Sequence, residues 1–275
     1  MSTEQNKPTS LVTQGPVLLD LHNDGVAHIR LNRPEAANGL NMELLTALHH
    51  VVMQVHGDSR VRAVLLTGEG KNFCAGGDVV KFHSMGENLP AYIRQATSYL
   101  QMVAALLMRI NAPVVTAVQG YAAGGGGMGL VCSSDIVLAG ESSNFLAGAT
   151  RVGMVPDAGV TVTLTQLVGF RKAMEIALLN PVIPAAKALE MGLVTRVVPD
   201  ASLVADALAV ARQLAAGAPM ALAATKRLLW SGIGQGVEAC MPEENNTQAL
   251  LAGTQDSMEG LLAVIEKRAP QFKGR

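Results

Sequence analysis

A chain of 275 residues that is 49% hydrophobic and 16% charged can bury the core of one sizeable domain, alone or with a small appendage. A formal net charge of −1, with no Lys/Arg stripe, gives no electrostatic basis for tracking a nucleic-acid backbone. The three cysteines, Cys74, Cys132 and Cys240, are far apart and odd in number; they support neither a disulfide framework nor a zinc site, and a reducing cytoplasm is the simplest compartment.

Residues 1–15 are polar, lack the apolar core of a secretory signal and read as a frayed tail. Residues 26–31 alternate as a strand, 42–56 repeat apolar positions at helical spacing, and 61–66 form a continuous β-type run, which together make a β-α-β unit. A long amphipathic helix over 92–110, a buried strand over 113–118, a short glycine-opened helix after Gly124 and a strand over 135–139 repeat the cycle. Such alternation predicts a largely parallel sheet with crossover helices, within a core domain over 16–200. From Thr161 the pattern turns helical, over 162–179, 184–191, 202–216 and 219–230, with a short strand at 193–198 and a last helix over 247–268. Residues 201–275 thus form a helical region whose Leu250, Leu251, Met258, Leu261, Leu262 and Ile265 exceed what one subunit buries and predict an oligomer contact. No apolar run reaches the roughly 20 residues a membrane span requires.

Two glycine-rich segments carry the chemistry. Asn72-Phe-Cys-Ala-Gly-Gly-Asp78 and Gly120-Tyr-Ala-Ala-Gly-Gly-Gly-Gly-Met-Gly-Leu130 each follow a β-like run and offer bare main-chain amides to a negative oxygen. The Gly77 amide, with one from Gly125 or Gly126, falls at the carboxyl edge of the sheet. Two such donors can hold the enolate of a thioester, each worth ~3 kcal/mol when well aimed. The same glycines equally suit tight turns and helix-on-sheet packing. Enolate chemistry needs a base, and Asp157 in Val155-Pro-Asp-Ala-Gly159 is the candidate. As an N-cap it would accept bonds from the first helical amides; beside Val152, Met154 and Val155 its pKa would instead rise and it could carry a proton between two carbons.

Taken together, residues 26–35, the Ala75-Gly-Gly-Asp78 turn, residues 120–126, Asp135-Ile136, Val155-Pro-Asp157 and the tail Glu266-Lys-Arg-Ala-Pro-Gln-Phe-Lys273 resemble the crotonase (enoyl-CoA hydratase/isomerase) superfamily, from about Pro16 to the last residue. The resemblance implies an α/β spiral of β-β-α units with a C-terminal helical trimerisation region, and a homotrimer or a hexamer of paired trimers. It also implies an acyl-CoA thioester substrate, with CoA part of the substrate and no separate cofactor or metal. By motif position the enolate-holding amides fall on Gly77 and Gly126. CoA contacts are implied for Arg33 and for the Ala75 to Lys81 loop, with Lys81 a phosphate partner, and for Phe272 and Lys273 of the tail. Gly125, Met128 and Ala149 are implied on the acyl side, with Met85 and Met154 as further pocket lining.

The departures narrow the reaction. Enoyl-CoA hydratases of this superfamily carry one glutamate in the helix after the glycine run and another shortly before the Pro-x-x-Gly turn. Here the first position falls on Met128 or Gly129 and the second on Ala149, so the carboxylate pair for water addition is absent. Asp157 remains, where the single-aspartate branch, similar to the phenylacetate-pathway epoxide isomerase, carries its acidic group. One carboxylate suffices for a double-bond shift. Two alternatives stay open: an aromatic acyl-CoA dehalogenase with Asp157 as nucleophile, and a catalytically silent acyl-CoA binder. His83 reads as a loop histidine, His49, His50 and His56 as surface or packing residues, and Asp78 and Asp135 as caps of turns or strand ends.

Overall fold

The computed structural model describes residues 8–275. Thr9–Val12 (β1), Val17–Leu21 (β2) and Val26–Leu31 (β3) form an antiparallel meander. Part of the expected frayed tail is therefore a strand, held by its ladder to β2 and by Ser10 Oγ donating to Asp20 Oδ1; residues 1–7 lie outside the described residues. Helix Met42–Gly57 (α1) opens where the Asn41 side chain accepts from the Leu44 amide at 2.9 Å. Its buried Leu44, Leu45, Leu48, Val51, Val52 and Val55 form the single apolar stripe of an amphipathic helix.

Ala63–Gly68 (β4) returns parallel to β3. A short helix, Val79–Ser84 (α2), and a long one, Leu89–Arg109 (α3), lead to Val114–Val118 (β5), parallel to β4. Tyr121–Ala123 (β6) then leaves the sheet and runs straight into Gly124–Cys132 (α4). Ile136–Gly140 (β7) returns beside β5, and Asn144–Leu146 (β8) leaves beside β6. Next come Val160–Val168 (α5), Phe170–Leu179 (α6), Ile183–Pro184 (β9), Ala185–Glu190 (α7) and Arg196–Val198 (β10). The large sheet has the order β1-β2-β3-β4-β5-β7-β10, and β6, β8 and β9 form a small one. This is the spiral of β-β-α units: β5-β6-α4 and β7-β8-α5 each lay one strand in the large sheet, one in the small sheet, then a helix, while after β3 and β4 the second strand is reduced to the single bridges Leu40–Gly77 and Cys74–Ala122.

Both faces of the large sheet are covered, which is why its central strands read as continuous apolar runs. Ala27, Ile29, Leu31, Val64 and Leu66 face the main core. Val26, Ala63, Leu65, Val115 and Leu138 pack instead on Leu203, Ala207, Val210 and Ala211 of Leu203–Ala215 (α8). Pro219–Gly232 (α9), Val237–Ala252 (α10) and Gln255–Glu266 (α11) complete the C-terminal helical region. Helix α9 is tied to the core by Lys226, whose Nζ meets Asp135 Oδ2 at 2.8 Å and donates to Leu107 O and Ala112 O.

Two long helices expected from periodicity are each interrupted. The run over 162–179 breaks at Gly169 (φ 78, ψ 154), a conformation open to glycine, so α5 and α6 are separate. The run over 247–268 breaks at Gly253, and Thr254 caps the new helix by accepting from the Ser257 amide. Among the described residues no single helix is long and apolar enough to cross a membrane.

Candidate active site

At the carboxyl ends of β4 and β5, the usual ligand side of an α/β sheet, the two glycine segments come together. The Leu40 amide donates to Gly76 O at 2.7 Å and Leu40 O accepts from Asp78 N at 3.0 Å. These two bonds make a parallel bridge between Leu40 and Gly77. The Gly76 C=O and the Gly77 N–H belong to one trans peptide group and point opposite ways, so the N–H of Gly77 faces away from Leu40, toward the cleft that Gly77 lines. Gly76 takes φ 93, and a Cβ there would stand 2.7 Å from Ala123 O and 3.0 Å from Gly124 Cα. Glycine at 76 thus lets the turn press against the start of α4.

Helix α4 opens at Ala123, which has no side-chain cap. The amides of Gly124, Gly125 and Gly126 are the first three of the helix and have no partner four residues back. The helix dipole adds partial positive charge at the same end. A Cβ on Gly126 would overlap Leu40 Cδ1, so glycine there is what lets α4 close over Leu40 and keep its free amides beside the Gly77 turn.

Across the cleft stands Asp157. Its carboxyl oxygen Oδ1 is buried without a hydrogen-bond partner, and it sits so close over α4 that a Cβ on Gly125 would overlap it. Burial pushes the Asp157 pKa up, opposed in part by a bond from its own amide. The capping alternative does not hold: α5 begins after Gly159 (φ 78) with no side-chain cap, because the turn Ala158-Gly159, both at positive φ, swings the carboxyl off the helix axis. The cleft encloses about 750 Å³, and its walls include Leu45, Phe82, Ile93, Leu100, Leu146 and Met154. Asp157 is the only carboxylate among its lining residues.

A turn amide and a helix-end amide thus face one pocket, with a lone buried carboxyl opposite. The family model for enoyl-CoA hydratase/isomerase matches residues 22–275. The chain belongs to the crotonase (enoyl-CoA hydratase/isomerase) superfamily. It is 36% identical over 252 residues to a Rhodobacter capsulatus protein named "Probable enoyl-CoA hydratase", covering 92% of this chain and 96% of that one. It is 34% identical to the Escherichia coli 1,2-epoxyphenylacetyl-CoA isomerase, covering 91% and 96%. The crystal structure of an enoyl-CoA hydratase from Bacillus anthracis superposes with a TM-score of 0.89 at 32% identity, covering 94% of this chain and 100% of that one. The crotonase fold expected from the sequence is therefore shown.

Of the residues singled out, Ala75, Gly77, Gly125, Gly126, Ala149 and Asp157 share the cleft wall. Met128 does not. It is fully buried in the main core, because one residue along α4 turns the helix by about 100°; the position on the Asp157 side is Gly129, where a Cβ would meet that of Ala158. Neither that position nor Ala149, set in the 3₁₀ turn Ala149–Val152, supplies a carboxylate to the site. Of the three candidate pocket methionines only Met154 lines the cleft; Met85 packs on the core. Arg33 is no free surface charge: it pairs with Asp78 Oδ2 at 3.1 Å and donates to Gly39 O, beside the turn but off the cleft wall. Asp78 also caps α2, accepting from the Lys81 amide. Exposed Lys81 holds its Nζ 5.9 Å above the Tyr92 ring, and exposed His83 is likewise off the wall. Phe272 packs near Gly260, while the amides of Lys273 and Gly274 donate to buried Asp256, so the tail folds back on α11 away from the cleft. His49 stacks edge-on against Tyr99. Among the described residues no group of three or more His, Cys, Asp or Glu side chains could hold a metal ion.

One residue that braces the site had no signal in the pattern. Fully buried Asn38 (φ 54) donates from Nδ2 to Glu69 O and Asn72 O and accepts from the Arg33 amide. It joins the loop before α1 to the loop that carries Gly77, through two bonds that span more than thirty residues and one local bond. Asn38→Ala is expected to lower unfolding free energy by about 3 kcal/mol, since buried carbonyls lose their donor, as read from urea denaturation followed by circular dichroism.

Proposed function

We propose that this protein is an acyl-CoA isomerase, which shifts a carbon–carbon double bond with Asp157 as the single proton carrier and the Gly77 and Gly126 amides as enolate holders. The observation that carries the reading is the lone carboxyl on the wall of an otherwise mostly apolar cleft, unpartnered at Oδ1 and facing the free end of α4. The thioester oxygen accepts from the two amides. The Asp157 carboxylate removes a proton from the carbon flanking the carbonyl, the C–H pair moves into the dienolate, and its negative charge gathers on the held oxygen. The same carboxyl then returns the proton to the far allylic carbon, and the double bond comes to rest one position along. Desolvation of Asp157 suits both halves, because a raised pKa makes the carboxylate a stronger base and brings it nearer to the weakly acidic carbon.

Water addition is disfavoured by the same wall. A hydratase needs a second group to orient water, and Gly129 and Ala149 offer none. Nucleophilic attack on a halogenated ring would call for a flat aromatic slot, and Phe82 is the one aromatic side chain on the wall. The assembly we propose is a homotrimer or a hexamer of paired trimers, covering the exposed Leu229, Leu250, Val264 and Ile265 of α9, α10 and α11. In it the CoA nucleotide runs past Arg33 and Lys81, and Phe272 and Lys273 reach a neighbouring subunit's substrate.

Incubation with 3-enoyl, 2-enoyl and 4-halobenzoyl CoA thioesters in heavy water tests the reaction. Interconversion of the enoyl isomers, with deuterium entering the carbon next to the carbonyl and no hydroxyacyl product, is the expected result. Accumulation of hydroxyacyl-CoA alone, or halide release alone, would overturn it, and no turnover on any thioester would point to the silent binder.

A further inference from the structure

We propose that Gly129 is a positioning residue for Asp157: its missing side chain is the seat on which the Ala158 methyl rests, and that seat aims the neighbouring carboxyl into the cleft. The inference rests on the reading of Asp157 as the base. Gly125 and Gly129 stand four residues apart on α4 and so share one face. A Cβ on Gly125 would overlap Asp157 Oδ1, and one on Gly129 would stand 2.7 Å from the Cβ of Ala158 and 3.9 Å from Val160 Cγ2. Two consecutive residues of the turn therefore lie against two glycines of one helical face. Ala158 is 3% exposed and left-handed (φ 51), a conformation that costs a non-glycine residue energy and persists only where surroundings enforce it. Asp157 Oδ1 has no hydrogen-bond partner, and the carboxyl's bond from its own amide ties it to this same turn, so its aim follows the backbone contact. A side chain at 129 would push Ala158 outward and carry the carboxyl away from the amides at the start of α4. An acidic residue at 129 and an aspartate at 157 in this pose are thus mutually exclusive, which makes Gly129 a determinant of which reaction the site supports.

The contact is methyl against hydrogen, so moving the methyl from one side to the other tests it. Gly129→Ala is expected to lower kcat for the enoyl shift by about 100-fold, the scale of an ångström's displacement of a reacting group, with KM changed little, since the amides and the apolar wall are untouched. Gly129→Ala/Ala158→Gly keeps one methyl at the contact and is expected to regain most of the lost kcat. Wild-type kcat in Gly129→Ala would overturn the inference, and so would a double variant no better than the single one in kcat or in folded yield. An Asp157→Asn control separates the two levels: if that variant keeps full activity the reading of the base fails, whereas an inactive control beside an unimpaired Gly129→Ala removes only the seat.

Discussion

Asp157→Asn is expected to reduce kcat for the enoyl shift by about 100- to 10,000-fold, the range that a positioned general acid–base contributes. KM for the thioester should stay nearly unchanged, because the amide has the carboxylate's shape, fits the same space over Gly125 and leaves the two N–H donors free. A loss confined to kcat is what removal of an interaction made during proton transfer produces. The pH profile gives a second, independent reading. The base works only when ionised, so wild-type kcat/KM is full above the Asp157 pKa and falls as pH drops through it. Burial holds that pKa above the ordinary carboxylate value of about 4, which moves the acid limb upward toward neutrality. In the asparagine variant the limb attributed to this group disappears. Initial rates across the acid range, with 3-enoyl and 2-enoyl thioesters in separate runs, check both statements; a variant with wild-type kcat, or an unmoved acid limb in it, would remove Asp157 from the chemistry.

The reason Asp157 was legible in the sequence while several of its partners were not is physical. Glycine runs after apolar strands carry their meaning locally: Gly77, Gly125 and Gly126 are required by close approaches that any side chain would block, and the chain must spend glycines to make them. The central strands β4, β5 and β7 are equally plain, since sheets covered on both faces demand unbroken apolar segments, and β3 shows by its alternation. By contrast, β6, β8 and β9 are two or three residues long, too short for periodicity to register. Asn38 acts through bonds to residues up to 34 positions away, and nothing in its neighbourhood announces them. The spacing leaves Met128 and Gly129 as alternatives and does not say which way either faces; the rotation of α4 places Met128 in the core. The N-cap reading of Asp157 had the same weakness: Pro156 and Gly159 mark a helix start nearby, yet only the left-handed Ala158 and Gly159 determine that the carboxyl leaves the helix axis and enters the cleft. Local composition fixes which backbone can come close; which side chain faces which depends on the phase of helices and turns that the fold sets globally.

Lys226→Met is expected to destabilise the fold by about 3–5 kcal/mol, the cost of stripping one partner from a buried ion pair, and to lower Tm by about 5–9 °C in differential scanning calorimetry. The Lys226 side chain is 6% exposed and its partner Asp135 16%. Burial presses the Lys226 pKa down while Asp135 holds it up, so the ammonium stays only because the carboxylate and the carbonyls of Leu107 and Ala112 surround it. Asp135 also accepts from the Val114 amide at 2.7 Å and from Trp230 Nε1 at 2.8 Å, which makes it the knot joining β5, the start of β7 and α9. Without the ammonium that carboxylate is left with neutral donors alone in a half-dry environment. The double variant Lys226→Met/Asp135→Asn discriminates this electrostatic account from simple loss of packing: with both charges gone no ion is stranded, an acceptor oxygen remains at 135 for the donors around it, and part of the stability should return. Because α9 leads into α10 and α11, whose exposed leucine, valine and isoleucine side chains are the proposed subunit contacts, Lys226→Met should also shift sedimentation from trimer or hexamer toward monomer at a given concentration. An unchanged Tm in the single variant would show that α9 is held by its packing on α3, and that the buried pair contributes nothing to how the helical region is mounted on the core.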